Sequence, residues 1–188
     1  MTRIAPVALS AATAPLRVSS RYEVHELLGR GGMACVYRAT DSTLSRSVAL
    51  KQLVVAEGAP RASLAALFER EFHTLMQLRH PHVIEVYDYG VGEDGSPYYT
   101  MELLDGGDLR DRTPVGYRDA CRIAFDVCSA LALLHSRRLL HRDISPRNIR
   151  CTLDGQAKLI DFGAMAPMSD GGSEVVGTPA FTAPETLQ

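Results

Sequence analysis

Two groups of polar residues lie close together in the second half of the chain. They are His141-Arg142-Asp143-Ile144-Ser145-Pro146-Arg147-Asn148 and Asp161-Phe162-Gly163. Residues 148–152 and 157–160 between them read as two short strands joined at the turn signal Asp154-Gly155. A hairpin fixes the separation of its two ends. Asp143, Asn148 and Asp161 are therefore held in a set relation, with five residues from the first to the second and thirteen from the second to the third. No other feature of the sequence restricts the fold as much.

The rest of the chain must fold around that hairpin. Residues 22–39 read as two strands around a glycine turn, and 48–54 as a third strand. Residues 63–78 have helical periodicity, with Leu64, Leu67, Phe68, Phe72, Leu75 and Met76 on one side, and His80-Pro81 stops the helix. Residues 83–89 and 98–103 pair as strands across the turn at 92–97. A second amphipathic helix spans 117–136, with Ile123, Val127, Ala130, Leu131 and Leu134 inward. Strands and one helix followed by a helical region make an α+β chain with an N-terminal sheet lobe.

Bulk properties exclude several classes of function. The net charge is −2 and the pI is near 6.3, so no basic patch points to nucleic acid or an anionic membrane. No apolar run approaches the ~18 residues of a membrane span. Cys35, Cys121, Cys128 and Cys151 form no C-x-x-C pair and read as reduced, cytosolic thiols without a metal site. Cys121 and Cys128, seven apart on a helix, are expected to face one core. Residues 1–21 read as a disordered leader rich in Ala, Ser, Thr and Pro. A signal-peptide core over 4–16 is disfavoured by Pro6 and Pro15 and by a single preceding cation, Arg3.

The opening motifs resemble the catalytic loop H-R-D-x-x-x-x-N and the metal-binding D-F-G of protein kinases. Other segments fall into register with them. Leu28-Gly29-Arg30-Gly31-Gly32-Met33-Ala34-Cys35-Val36 resembles the glycine-rich phosphate loop, with Ala34 at the third glycine; on its own it is equally an ordinary hairpin turn. Val48-Ala49-Leu50-Lys51 resembles V-A-I-K. The resemblance implies that Lys51 holds the α- and β-phosphates and that Glu71 orients it, with Glu69 the competing carboxylate. The segment from Tyr99 to Leu109 resembles the hinge. Met101 would guard the rear of the pocket, Glu102 O and Leu104 N would contact adenine, and Asp108 would touch the ribose. Leu28, Val36 and Ala49 would surround the base.

By the same resemblance Asp143 is the base that takes the substrate hydroxyl proton, and Asn148 and Asp161 are the Mg²⁺ ligands. Two departures from the family pattern stand out. Ser145 replaces the lysine usual in serine/threonine kinases, and Arg147 stands where tyrosine kinases carry an arginine with that role. Arg150 replaces an apolar residue that packs under adenine; its stem covers the ring, its guanidinium stacks on it, or nucleotide binding is weak. Gly177-Thr178-Pro179-Ala180-Phe181-Thr182-Ala183-Pro184-Glu185 resembles the serine/threonine-kinase G-T-P-x-[YF]-x-A-P-E stretch. Glu174 is expected to pair with Arg142 in place of a phosphorylated loop residue, or to be a solvated loop charge.

The resemblance implies a two-lobed kinase domain over residues 22–188, with a sheet lobe at 22–104 and an incomplete, mainly helical lobe at 105–188. Leu131, Leu134 and Ile144 are expected to be left uncovered by helices beyond Gln188. The implied function is transfer of the γ-phosphoryl group of Mg·ATP to Ser or Thr of a cytoplasmic protein substrate. The alternative is a catalytically impaired nucleotide-binding or interaction module.

Overall fold

This computed structural model describes residues 18–55, 58–169 and 177–184. In chain order the elements begin β1 (Tyr22–Arg30), β2 (Ala34–Asp41), β3 (Arg46–Leu53), α1 (Arg61–Gln77), β4 (Val86–Val91) and β5 (Pro97–Met101). The five strands form one antiparallel sheet in the order β1-β2-β3-β5-β4. There follow α2 (Tyr117–Ser136), β6 (Leu139–Leu140), β7 (Ile149–Cys151), β8 (Ala157–Leu159) and β9 (Ala166–Pro167). β7 pairs with β8, and β6 with β9.

Strand register sorts the side chains onto two faces, because opposite residues of an antiparallel pair share a face. Val36, Lys51 and Tyr99 form one row and Arg38, Ala49 and Met101 a second row on that face. Tyr37, Leu50 and Thr100 lie on the other face. The first face meets α1 and the cleft. The second is sealed by a separate apolar cluster of Val18, Tyr22, Val24, Ala39, Val48, Leu50 and Tyr98.

Composition alone puts residues 18–21 in the leader, but the structure packs them on the sheet. Val18 is buried, and its carbonyl accepts the Glu93 amide at 3.1 Å. Arg21 donates to both carboxylate oxygens of the buried Asp41. One buried apolar side chain and the ion pairs of Arg21 with Asp41 and Asp88 tie down a segment whose composition reads as disordered. Residues 1–17 lie outside the described part of the chain.

α1 buries Phe68, Glu71, Phe72 and Leu75. Leu67 and Met76, expected inward, are 55% and 40% exposed. The helix turns Glu71 toward Lys51, and at ~100° per residue this carries Leu67 and Met76 about a quarter-turn to either side of the buried stripe. α2 buries Ile123, Asp126, Val127, Ala130 and Leu134. Its opposite face is also apolar, and Tyr117 (83%) and Phe125 (73%) lie open there with Cys121 and Cys128. The two cysteines do share a stripe, but it is the outward one. Leu134 is fully buried and Leu131 and Ile144 are partly buried against the core, so the uncovered apolar residues differ from those expected.

The main core crosses from one lobe to the other. It joins Phe68, Phe72 and Leu75 of α1 and Tyr99 of β5 to Ala130 and Leu134 of α2 and Cys151, Ala157 and Leu159 of the hairpin. The segment after α1 stitches the lobes together: His82 O accepts the Leu159 amide at 2.9 Å, and the Ile84 amide donates to Leu159 O at 3.0 Å. Beside it, Asp126 Oδ2 accepts the Ala157 amide at 2.9 Å, and the His82 ring reaches Ala157 O and Asp126.

Candidate active site

Lys51 is the centre of the cleft. Its Nζ donates to Glu71 Oε1 at 2.9 Å and to Asp161 Oδ1 at 3.1 Å, although Asp161 is 110 residues away. Glu71, not Glu69, is the carboxylate that α1 delivers. Tyr99 Oη donates to the same Glu71 oxygen at 3.0 Å, a contact with no signature in the sequence. Burial works against the Lys51 ammonium, but the carboxylates of Glu71 and Asp161 beside it raise its pKa well above that of an ordinary lysine. Burial likewise pushes the Tyr99 phenol up, so it stays a neutral donor.

Asp161 stands at the cleft surface, with 54% of its side chain exposed. Its crowded setting raises its pKa, but the charge and hydrogen bond of Lys51 outweigh this and hold the carboxyl below the usual range. Its φ of +59° lies in the left-handed region, as does that of Arg142 at +66°. Such backbone is costly for a side chain with a Cβ and clusters at functional sites. The next residue, Phe162, is buried, and its ring lies 4.7 Å from that of the buried His141. His141 Nε2 pairs with Ile160 O, and its Nδ1 accepts the Asp143 amide. The two polar groups that opened the sequence argument are thus locked by one ring pair and one imidazole, in addition to the hairpin.

Asp143 is saturated with donors. Asn148 Nδ2 gives 2.7 Å to Oδ2, and Arg147 Nη2 reaches the same oxygen at 3.3 Å. Thr178 donates both its amide and its hydroxyl to Oδ1, each at 2.8 Å. Burial raises the Asp143 pKa, but these hydrogen bonds prevail and keep it ionised well into acid. The Thr178 contact has no signature in the sequence, because a backbone donor 35 residues away leaves no trace there. It depends on Gly177: at its φ of +115° an added Cβ would stand 2.4 Å from Arg142 O.

The glycine turn opens the cleft from above. Gly31 N donates to Ala34 O at 2.8 Å and closes the turn. Gly29 and Gly32 have nothing within 4 Å of a built Cβ, so the loop tip is open on that side. Gly29 lies opposite Val36, with Leu28 in the adjoining bulge. At the hinge, Lys158 donates to both oxygens of Glu102 at 2.6 and 2.8 Å, and the Glu102 amide is taken by Glu85 O. Among the described residues Glu102 O and Leu104 N make no hydrogen bond. Asp108, by contrast, has both carboxylate oxygens engaged by Arg110. Ser145 is buried with its Oγ unpartnered. Glu174 lies outside the described residues.

The family model described as a protein kinase domain matches residues 22–188. The chain belongs to the protein kinase family. A probable serine/threonine-protein kinase of Streptomyces coelicolor is 38% identical over 91% of this chain. Serine/threonine-protein kinase PknB is 38% identical over 92% of the chain in Mycolicibacterium smegmatis and 37% identical over the same share in Mycobacterium tuberculosis. The chain spans 27–30% of the length of these relatives. The antiparallel sheet of five strands and part of the helical lobe are those of the kinase fold.

Proposed function

We propose that this kinase cleft binds Mg·ATP and transfers the γ-phosphoryl group to a Ser or Thr hydroxyl of a protein. The observation that carries the reading is the contact of Lys51 with both Glu71 and Asp161, which draws sheet, helix and catalytic segment around one cation. Lys51 would hold the α- and β-phosphates, with Glu71 and Tyr99 fixing its head group. The glycines at 29, 31 and 32 would let backbone amides approach the phosphates, and Leu28, Val36, Ala49 and Met101 would enclose the base, with Asp108 at the ribose. Asn148 and Asp161 offer the hard oxygen donors that suit magnesium, which takes few protein ligands beside phosphate and water. Magnesium, when bound, supplies charge neutralisation of the transferring group.

Asp143 would accept a hydrogen bond from the acceptor hydroxyl and receive its proton. In the described conformation Thr178 occupies Oδ1, so an acceptor hydroxyl would displace or share that contact. Arg147, 51% exposed beside Asp143, would turn toward the phosphoryl group in the role usually given to the lysine that Ser145 replaces. The Ser/Thr preference follows the names of the relatives and the stretch around Thr178. Among the described residues no helix is long and apolar enough to cross a membrane, and four free cysteines fit a cytoplasmic setting.

The test is phosphotransfer from labelled ATP to Ser-, Thr- and Tyr-containing peptides, with Asp143→Asn and Lys51→Ala beside the parent. The expected result is labelling of Ser or Thr that both substitutions abolish. Mg·ATP binding by the parent without transfer to any peptide would replace this reading by that of an impaired nucleotide-binding module.

A further inference from the structure

Tyr99 carries a hydroxyl that packing does not call for. The residue is 1% exposed, and its ring lies against Phe68 and Phe72 of α1, with centroids 5.0 and 5.8 Å away. A phenylalanine would fill the same space. β5 sets Tyr99 directly opposite Lys51 of β3, so both side chains leave the sheet on one face. From there Tyr99 Oη donates to Glu71 Oε1 at 3.0 Å, and Lys51 Nζ donates to the same atom at 2.9 Å. One carboxylate oxygen thus takes a donor from each of two neighbouring strands.

The two donors are not held alike. Lys51 Nζ is shared with Asp161 Oδ1 at 3.1 Å, and it ends a flexible four-carbon stem. Phosphates placed in the cleft would compete for it. The Tyr99 hydroxyl sits on a ring gripped between sheet and helix, so packing sets its position. Glu71 is buried, and a buried carboxylate that loses a donor is left with an uncompensated desolvation cost. Its second oxygen faces the turn that carries Asp161: Oε2 would stand 3.7 Å from a Cβ built on Gly163. A displaced Glu71 would therefore disturb Lys51 and the Asp161 segment together.

Building on the nucleotide reading above, we propose that Tyr99 is a positioning residue, which keeps Glu71 turned toward the cleft while Lys51 exchanges Asp161 for the phosphates. Buried as it is, Tyr99 acts through another side chain. Its effect passes through Glu71 to Lys51, so a ligand that carries phosphates feels it and a nucleoside does not. The inward setting of α1 then rests on two strands of the sheet rather than on Lys51 alone.

Calorimetric titration of Mg·ATP and of adenosine into the parent, Tyr99→Phe, Glu71→Leu and the double variant tests this, each protein first checked for a cooperative melt. Tyr99→Phe keeps the ring and removes only the hydroxyl. It is expected to weaken Mg·ATP roughly 3- to 30-fold and to leave adenosine unchanged. In the Glu71→Leu background the same substitution should change neither, because the hydroxyl has nothing to act through. If Tyr99→Phe fails to melt cooperatively, Tyr99→Met, which also fills the site without a hydroxyl, takes its place with the same expected loss. Equal weakening of both ligands by Tyr99→Phe would mean that the hydroxyl only supports the shape of the cleft, and it overturns the inference. So does Mg·ATP binding as tight as the parent's, or a loss that persists in full without Glu71; each of these leaves the nucleotide reading standing. A parent that binds neither ligand overturns both.

Discussion

The link between Lys51 and Glu71 can be measured as a coupling energy. The perturbation is a double-mutant cycle of Lys51→Met, Glu71→Gln and the pair. At 2.9 Å two unit charges attract by about 6 kcal/mol at an effective dielectric of ~20. Both side chains are buried, 11% and 7% exposed, and their desolvation offsets more than half of that attraction. Asp161 stays 3.1 Å from Lys51 in Glu71→Gln, and Tyr99 stays on Glu71 in Lys51→Met, so each single variant keeps one partner. The expected coupling is therefore about 2 kcal/mol, with each single variant destabilised by roughly 2–4 kcal/mol. Urea unfolding followed by far-UV circular dichroism reads it, provided that the m-value is constant across the four proteins. A coupling under ~0.5 kcal/mol would refute the reasoning: α1 would not be holding Glu71 against Lys51 in solution, and the cleft would lack its central contact.

Three further outcomes are expected. Arg21's hydrogen bonds outweigh burial and, helped by the amides of Leu44 and Thr43, bring the Asp41 carboxyl from 3.8 to about 2. Since the folded-state pKa is the lower one, the contribution to stability is present above about pH 4 and is lost as pH falls toward 2. Asp41→Asn should cost about 1–2 kcal/mol at pH 7, discounted for the partial exposure of Arg21, and the gap to the parent in urea midpoints should close between pH 4 and 2. Asp126→Ala removes the acceptor of the buried Ala157 amide and should lower stability by roughly 1–3 kcal/mol; a midpoint unchanged from the parent would contradict this. Gly106→Ala would put a Cβ 2.4 Å from Cys151 O and 2.5 Å from Thr152 O. It should lower the melting temperature and speed exchange of the Cys151 amide, which the same linker pairs.

Sequence reasoning reached the elements whose pattern is local. The span of α2 was legible to the residue because apolar periodicity starts after Gly116 and stops at Ser136. Which face of that helix is buried was less legible for Cys121 and Cys128, because Tyr117, Cys121, Phe125 and Cys128 make a second apolar stripe as regular as the inner one. Periodicity reports that a stripe exists, not what covers it. Lys51, Glu71, Asp143, Asn148 and Asp161 were identified by motif, and the fold brings them to one cleft. Their supporting contacts were not read. Tyr99 on Glu71, Thr178 on Asp143 and Lys158 on Glu102 join residues far apart in the chain, two of them through side chains that look like ordinary strand residues. The 3.3 Å contact of Arg147 with Asp143 likewise has no signature in the sequence beyond the i, i+4 spacing.

The separate cluster beneath β1 bears on the stiffness of the cleft. No side chain of β1 enters the main core; the strand is anchored by Tyr22 and Val24 among the residues on the outer face of the sheet. The floor and rear wall belong instead to the core that runs through both lobes. On its β1 side the glycine turn is held only by the small cluster and the β1–β2 ladder, while on its β2 side Met33 O takes the Val54 amide and Ala34 enters the main core. Asp143 and Asp161 are carried by the segments that this shared core holds. Lifting the β1 side of the turn would leave the spacing of Asp143, Asn148 and Asp161 intact, because the hairpin and the His141 ring hold it independently of β1.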